Sequence, residues 1–451
     1  MHSRLLTTLR SGLMALLMLL IATALPASTA FSQVSGLETK ATIVCGNDTG
    51  TSGGQPTYAT TINLATTDGY IGIPDGNTVY MWGYAFDVDN DADGRPDFQH
   101  PGPNLCVYEG DTLTINLRNT LPEDVSIIFP GQLGVAASGG VAAANSLALA
   151  AGANNGPVAT YTFVASHPGT FIYESGTNLQ KQVQMGLFGS IVVRPNAQAS
   201  PWFVFNDAAT QFNATDEYMM LLSEIDPDLH AAVELGQPFD FTQYHPRYWL
   251  INGRAFPDTI APNFASWLPT QPYGALLHIF PTSAGSQPAA MRFLNVGALH
   301  HPIHPHGDHV RIIGRDGRPL ANPYEKFDVN VGPGQTWDAL YDWTNTNSWD
   351  PVTNPLPADT TALDEFGSWL NPRNQNQLFK DPNFYSGSPY LGYQGNKDDA
   401  TAASYNECGE YYQIWHSHAL NEAANYEAGF GGMITLERID PPLPNTCSTL
   451  P

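Results

Sequence analysis

Five of the chain's 13 histidines fall in two short segments. His301, His304 and His306 stand in "HPIHPHG", and His416 and His418 in "IWHSH". On an extended strand, side chains i and i+2 share a face, so each His-x-His points two imidazoles the same way. Two such strands side by side would bring four neutral nitrogens together, a donor set that suits Cu²⁺ or Zn²⁺. The bland alternative is a polar strand edge satisfied by hydrogen bonds. A doubled His-x-His, the first inside a His-Pro-x-His-x-His-Gly string, favours the metal. His167, His245, His278, His300 and His309 lie outside this pattern and read as structural or exposed.

An acidic run, "DVDNDADGRPD", places Asp89, Asp91 and Asp93 at alternate positions, followed by Gly94 and Asp97. Oxygen ligands at positions 1, 3, 5 and 9 with Gly at 6 match the first part of a calcium loop. Position 12 is His100 rather than a bidentate Glu, and no helical flanks are evident, so the run is not an EF-hand. Its competing reading is a solvated acidic turn.

The elements that must position these groups read as strands. The 451 residues carry 42 acidic and 18 basic side chains, a formal charge of −24, with 41 Gly and 36 Pro. That balance disfavours nucleic acid and anionic lipid as partners. Runs such as "TLTINLRN", "ATYTFVAS", "FGSIVVRP", "EYMMLLSEI", "AAMRFLNVG" and "YYQIWHSH" are rich in strand formers, and turn residues separate them, which predicts an all-β chain of sandwich type. "EGDTLTINLRNT" and "PAAMRFLNVG" each reach an Asn before a turn, which suggests two copies of one sandwich, at about 31–198 and 199–451. Ser138–Asn155, rich in Ala and Gly, reads as a short helix or a loop. The tract 342–410 is too long for an inter-strand loop and reads as an insertion or lid.

Residues 1–30 read as a secretory signal: Arg4 and Arg10, an apolar stretch Gly12–Leu25, then small residues at Ser28 and Ala30. The apolar run is shorter than the roughly 18–20 residues of a membrane span. Export to the periplasm or the exterior permits disulfides, and pairing within each half gives Cys45–Cys106 and Cys408–Cys447, the simplest of three connectivities.

Nearly the whole of the expected mature chain resembles the multicopper oxidases, laccase-like proteins of cupredoxin fold. "HPIHPHG" at His301–Gly307 resembles their copper-ligand motif. "YEGDTLTINLRNTL", "YTFVASHPGTFIYESG" and "GLFGSIVVRP" resemble first-domain segments. "YWLINGRAFPDTI", "FDVNVGPGQTWDALYDW" and "WHSHALNE" with "GFGGM" resemble those of the last domain. The resemblance implies tandem cupredoxin-like Greek-key sandwiches. It places His301 on a type 1 copper ligand, His304 on a type 2 ligand, and His306, His416 and His418 on type 3 ligands. It also implies a homotrimer, the usual state of two-domain relatives.

The departures from that pattern are severe. Ser417 stands where the type 1 Cys belongs, and Glu422 where the second type 1 His belongs; Met433 matches the axial Met only loosely. Ile128 and Pro130 replace the first His-x-His, and Glu174 and Gly176 the second. A hydroxyl cannot supply the thiolate donation of a blue-copper centre, and four histidines cannot hold three adjacent coppers. The expectation is therefore at most one copper or zinc, on His304, His306, His416 and His418, with Glu174 adding a carboxylate by resemblance. The alternatives are a metal-free scaffold of the envelope or exterior and, against the missing thiolate, an active oxidase.

Overall fold

Nine residues in a row from Glu217 to Ile225 are buried, whereas Thr112–Asn119 alternates between exposed or half-buried and buried positions. The first pattern belongs to a strand covered on both faces, the second to one with a single core face. The computed structural model describes residues 41–195, 202–279, 287–343, 411–426 and 428–439. These residues are largely β.

Before residue 195, a five-stranded sheet runs in the order Thr78–Phe86, Thr61–Gly72, Thr112–Asn119, Ala159–Val164, Ala136–Gly139. A three-stranded sheet runs Leu105–Tyr108, Phe188–Arg194, Gly169–Glu174. The two share a core that includes Leu113, Ile115, Leu117, Tyr161, Phe171 and Ile191. After residue 202, a six-stranded sheet runs Tyr248–Ile251, Glu217–Ile225, Ala289–Asn295, Thr336–Tyr341, Val310–Arg315, Arg318–Lys326. Facing it is a five-stranded sheet ordered Leu277–Ile279, Ile434–Ile439, Tyr411–Ser417, His301–Pro305, Val329–Val331. Met220, Phe293, Ile303, Ile312, Trp415 and Met433 fill the core of this second set.

The two strand sets meet through apolar and ionic contacts. Ile172, Phe188 and Val192 from the first pack with Met219, Leu221 and Leu294 from the second. Beside them Arg292 bridges Glu217 and Asp338, Arg194 pairs with Glu217 at 2.8 Å, and Thr170 donates to Asp338 at 2.5 Å. A buried guanidinium is tolerated because each neighbour carries or accepts a matching charge.

Ser138–Asn155 forms no helix. It continues the edge strand Ala136–Gly139 into irregular chain held by bridges Val141↔Ala150 and Val125↔Ala151, with Asn145, Asn154 and Asn155 at positive φ. Conversely, Pro227–Glu234 is a helix that the strand-dominated sequence reading does not contain. Asp226 caps it, accepting from the amides of Asp228 and Leu229, with Pro227 at its first turn. Cys45 and Cys106 are disulfide-bonded. Cys408, Cys447, residues 1–30 and the tract 344–410 lie outside the described residues. No described helix is long and apolar enough to cross a membrane.

Candidate metal centre

The strands His301–Pro305 and Tyr411–Ser417 are antiparallel neighbours, with His304 opposite His416 and Ile303 opposite Ser417. Cross-strand partners lie about 4.5–5.5 Å apart at Cβ, so this register alone brings the two His-x-His pairs together. Ile303 and Trp415 turn into the core while His304 and His416 turn the other way. One ligand atom from each of His304, His306 and His416 lies within 4.8 Å of the others. His306 Nε2 and His416 Nε2 are 3.1 Å apart. Two nitrogens bound to one ion at ~2.0–2.1 Å and set ~90–110° apart would be separated by about 2.9–3.4 Å, so this spacing fits a shared metal.

Ring orientation is fixed from behind. His304 Nδ1 donates to the Phe327 carbonyl at 2.5 Å, and His416 Nδ1 to the Ser417 carbonyl at 2.8 Å. Those bonds place a ring proton on Nδ1 and turn Nε2 towards the group, as in metal-binding imidazoles. Burial, reinforced by the imidazoles of His416, His304 and His418, lowers the His306 pKa to about 4. Burial also lowers His416. Both shifts favour the neutral imidazole, the form that keeps one nitrogen lone pair free. The exposed His418 ring lies 5.0 Å from His304 and 5.6 Å from His416 between centroids, flanking the three-nitrogen group without joining it.

His301 is elsewhere. It is fully buried, its Nε2 3.0 Å from Glu224 and its Nδ1 2.9 Å from Glu422. The Ser417 hydroxyl donates to the same Glu422 oxygen. Burial alone would lower the His301 pKa, but hydrogen bonds and charge from Glu224 and Glu422 outweigh it and raise it to about 9. This ring is an imidazolium between two carboxylates, with no lone pair left for a metal. The type 1 expectation for His301 is therefore corrected: Glu422 and Ser417 complete an ion-paired network around it. Glu224 was not among the expected site residues. Its only sequence signal is an acid inside the otherwise apolar run "MMLLSEI".

Glu174 does not join the imidazole group either. Its backbone exchanges hydrogen bonds with Ile128, and burial raises its carboxyl pKa to about 7. A Cβ on Gly176 would meet Ile128 Cγ2 at 2.5 Å, so the pair is packed large against small. Of the acidic run, Asp89, Asp91 and Asp97 bring an oxygen each within 4.8 Å of one another, and Asp93 stands apart. Asp89 accepts from the amides of Asp93 and Gly94, and Asp97 from Asn90.

A family model described as multicopper oxidase matches residues 97–198. An L-ascorbate oxidase of Cucurbita maxima is 26% identical over 262 residues, 54% of this chain and 41% of the relative. Copper resistance protein A of Escherichia coli is 34% identical over 93 residues, 21% of this chain and 14% of that one. The alignment to the first relative thus spans about two-fifths of its length. In fold, the chain is similar to the blue copper oxidase from Nitrosomonas europaea, with a TM-score of 0.53 at 18% identity, covering 84% of this chain and 85% of that structure. Part of the chain is thus similar to multicopper oxidases, and the described residues have a cupredoxin-like fold with metal-ligand clusters that are incomplete.

The residues present do not fit four coppers. The type 1 position holds Ser417 and an ion-paired His301–Glu422, and Ile128, Pro130 and Gly176 offer no donor. They do fit one ion, at His304, His306 and His416.

Proposed function

We propose that this chain is an exported protein of two cupredoxin-like Greek-key sandwiches that holds a single copper or zinc ion and is not a four-copper oxidase. The observation that carries the reading is the His306–His416 Nε2 separation of 3.1 Å within a group of three clustered imidazoles, two of them oriented from behind. His304, His306 and His416 would bind the ion, and a turn of the neighbouring His418 ring would add a fourth nitrogen. An ion with an open position supplies Lewis-acid or one-electron chemistry. The chain's part is to favour the neutral form of His306 and His416 by burial and to fix the His304 and His416 rings by their Nδ1 hydrogen bonds.

The test is metal uptake by H304A/H416A, which takes one imidazole from each strand. Loss of the bound ion is expected, with H245A retaining it; uptake unchanged in the double variant would refute the site.

A metal-free scaffold is the second reading, favoured by the coherent filling of old ligand positions by Ile128 against Gly176 and by the His301 network. Two further elements belong to the proposal. One is homo-oligomerisation, as a trimer by the family's pattern, which sedimentation velocity reads. The other is calcium at Asp89, Asp91 and Asp97, with Asp93 as a supporting residue.

A further inference from the structure

Two of the strands that close the larger sheets are exposed nearly throughout. Arg318–Lys326 ends the six-stranded sheet, and Ala136–Gly139 ends the five-stranded sheet before residue 195. An open edge offers unpaired N–H and C=O groups to any other strand, and proteins blunt such edges with charge, proline and irregular register. Arg318–Lys326 carries all three: Arg318, Glu325 and Lys326, Pro319 and Pro323, and a register shift against its neighbour. Ala136–Gly139 carries none of them. It reads "AASG", all four residues are exposed, and it pairs with Ala159–Val164 in unbroken register. Gly140 donates to Val158 at 2.7 Å, which sets the phase of the ladder. Backbone groups alternate in direction along an antiparallel strand, so Ala136 and Ser138 bond inward and Ala137 aims its N–H and C=O outward. Among the described residues no strand pairs with Ala137 on that side.

Charge selects the occupant. From Val125 to Tyr173 the sequence holds no Asp, Glu, Lys or Arg, in a chain whose formal charge is −24. Leu133, Val135, Leu147, Val158 and Val164, all within that run, are exposed. Two copies at −24 repel wherever their acidic surfaces meet, whereas this run brings no charge to a contact. A cationic partner would be drawn to the acidic surface instead. An antiparallel strand pair is also its own image under a two-fold rotation, so the same strand of another copy is complementary to this one. We propose that Ala136–Gly139 is a docking edge for a second copy of this chain, the two strands pairing antiparallel about a two-fold axis beside Ala137. The N–H and C=O of Ala137 then bond the same groups in the other copy. The contact is separate from the imidazole group and from the three-fold assembly of the family's pattern. Alone it gives a dimer, and together with a trimer it gives a hexamer, so the number of chains is even in both cases.

Sedimentation velocity of the purified chain at increasing concentration tests this. A particle with an even number of chains is expected at the high end, and Ala137→Pro should halve its mass. An edge strand tolerates proline where the N–H faces outward, so this variant should fold normally. Ala137→Lys and Ala137→Glu should each halve the mass as well, because like charges then lie opposite one another, and mixing the two variants should restore it. Added salt should strengthen the pairing, since it screens two negative chains from each other. A mass that Ala137→Pro leaves unchanged would overturn the proposal, as would lysine and glutamate variants that do not recombine. So would a parent chain with an odd number of chains at every concentration, which would leave the edge to a foreign strand.

Discussion

His301 keeps a position that resembles a copper ligand, yet both of its nitrogens are committed to carboxylates, and its proton is part of the fold. The sign of the resulting pH dependence is fixed. A histidine raised from its ordinary value near 6.5 to about 9 contributes stability that is fully present below about 6.5 and lost as pH rises through about 9. The shift corresponds to something on the order of 3 kcal/mol. His100 and His230 act on the other limb. Burial lowers them to about 3 and about 4, so they stay neutral in the folded chain, and stability falls as pH drops below about 6.5. Denaturant midpoints measured from pH 4 to 10 should therefore form a dome, and His301→Asn should lower the maximum by about 3–5 kcal/mol and flatten the alkaline side. An alkaline limb unchanged in that variant would contradict the imidazolium assignment. His304, His306 and His416 were legible in the sequence because a period of two is a strong constraint on direction. Glu224 was not: a lone acid in an apolar strand has no spacing to betray it, and only folding shows that it meets His301.

Among the elements, the strand pair His301–Pro305 and Tyr411–Ser417 does most to define the site, since a slip of one residue would turn every imidazole into the core. The turn after Ala289–Asn295 matters as well. A Cβ at Gly297 would overlap the Glu224 carboxylate, so only glycine permits the acid to reach His301. Gly297→Ala should destabilise the chain by about 1–3 kcal/mol and weaken the alkaline limb, read by the same midpoints. The acidic loop gives a separate prediction. Calcium titration should show binding at about 10⁻⁴–10⁻³ M that D91A abolishes; an unchanged isotherm would leave the loop as an acidic turn. Strands were readable from their alternation, as in Thr112–Asn119. The helix Pro227–Glu234 was hidden because it is short and its surroundings are strand formers, although Asp226–Pro227 is a helix-start signal. Ser138–Asn155 misled in the opposite direction: Ala content favours a helix, but asparagines at positive φ and cross-chain bridges hold it irregular.

At the scale of the whole molecule, the β content was foreseeable from repeated patterning, whereas the contact between the strands before residue 195 and those after residue 202 was not. Arg292, Glu217, Asp338 and Thr170 lie in different strands, and no local pattern announces that they will share one buried network. The oxidase question belongs to the same scale. Restoring one ligand, as in S417C, rebuilds neither the imidazole at Glu422 nor the donors missing at Ile128, Pro130 and Gly176. That variant should show no intense blue absorption and no turnover of a phenolic substrate. The most direct measurement is metal content per chain by native mass spectrometry after copper loading, paired with an oxygen electrode and a phenolic substrate. The expected result is one ion per chain, lost in H304A/H416A, with no oxygen consumption. Four coppers with steady oxygen uptake, or no bound ion at all, would contradict it.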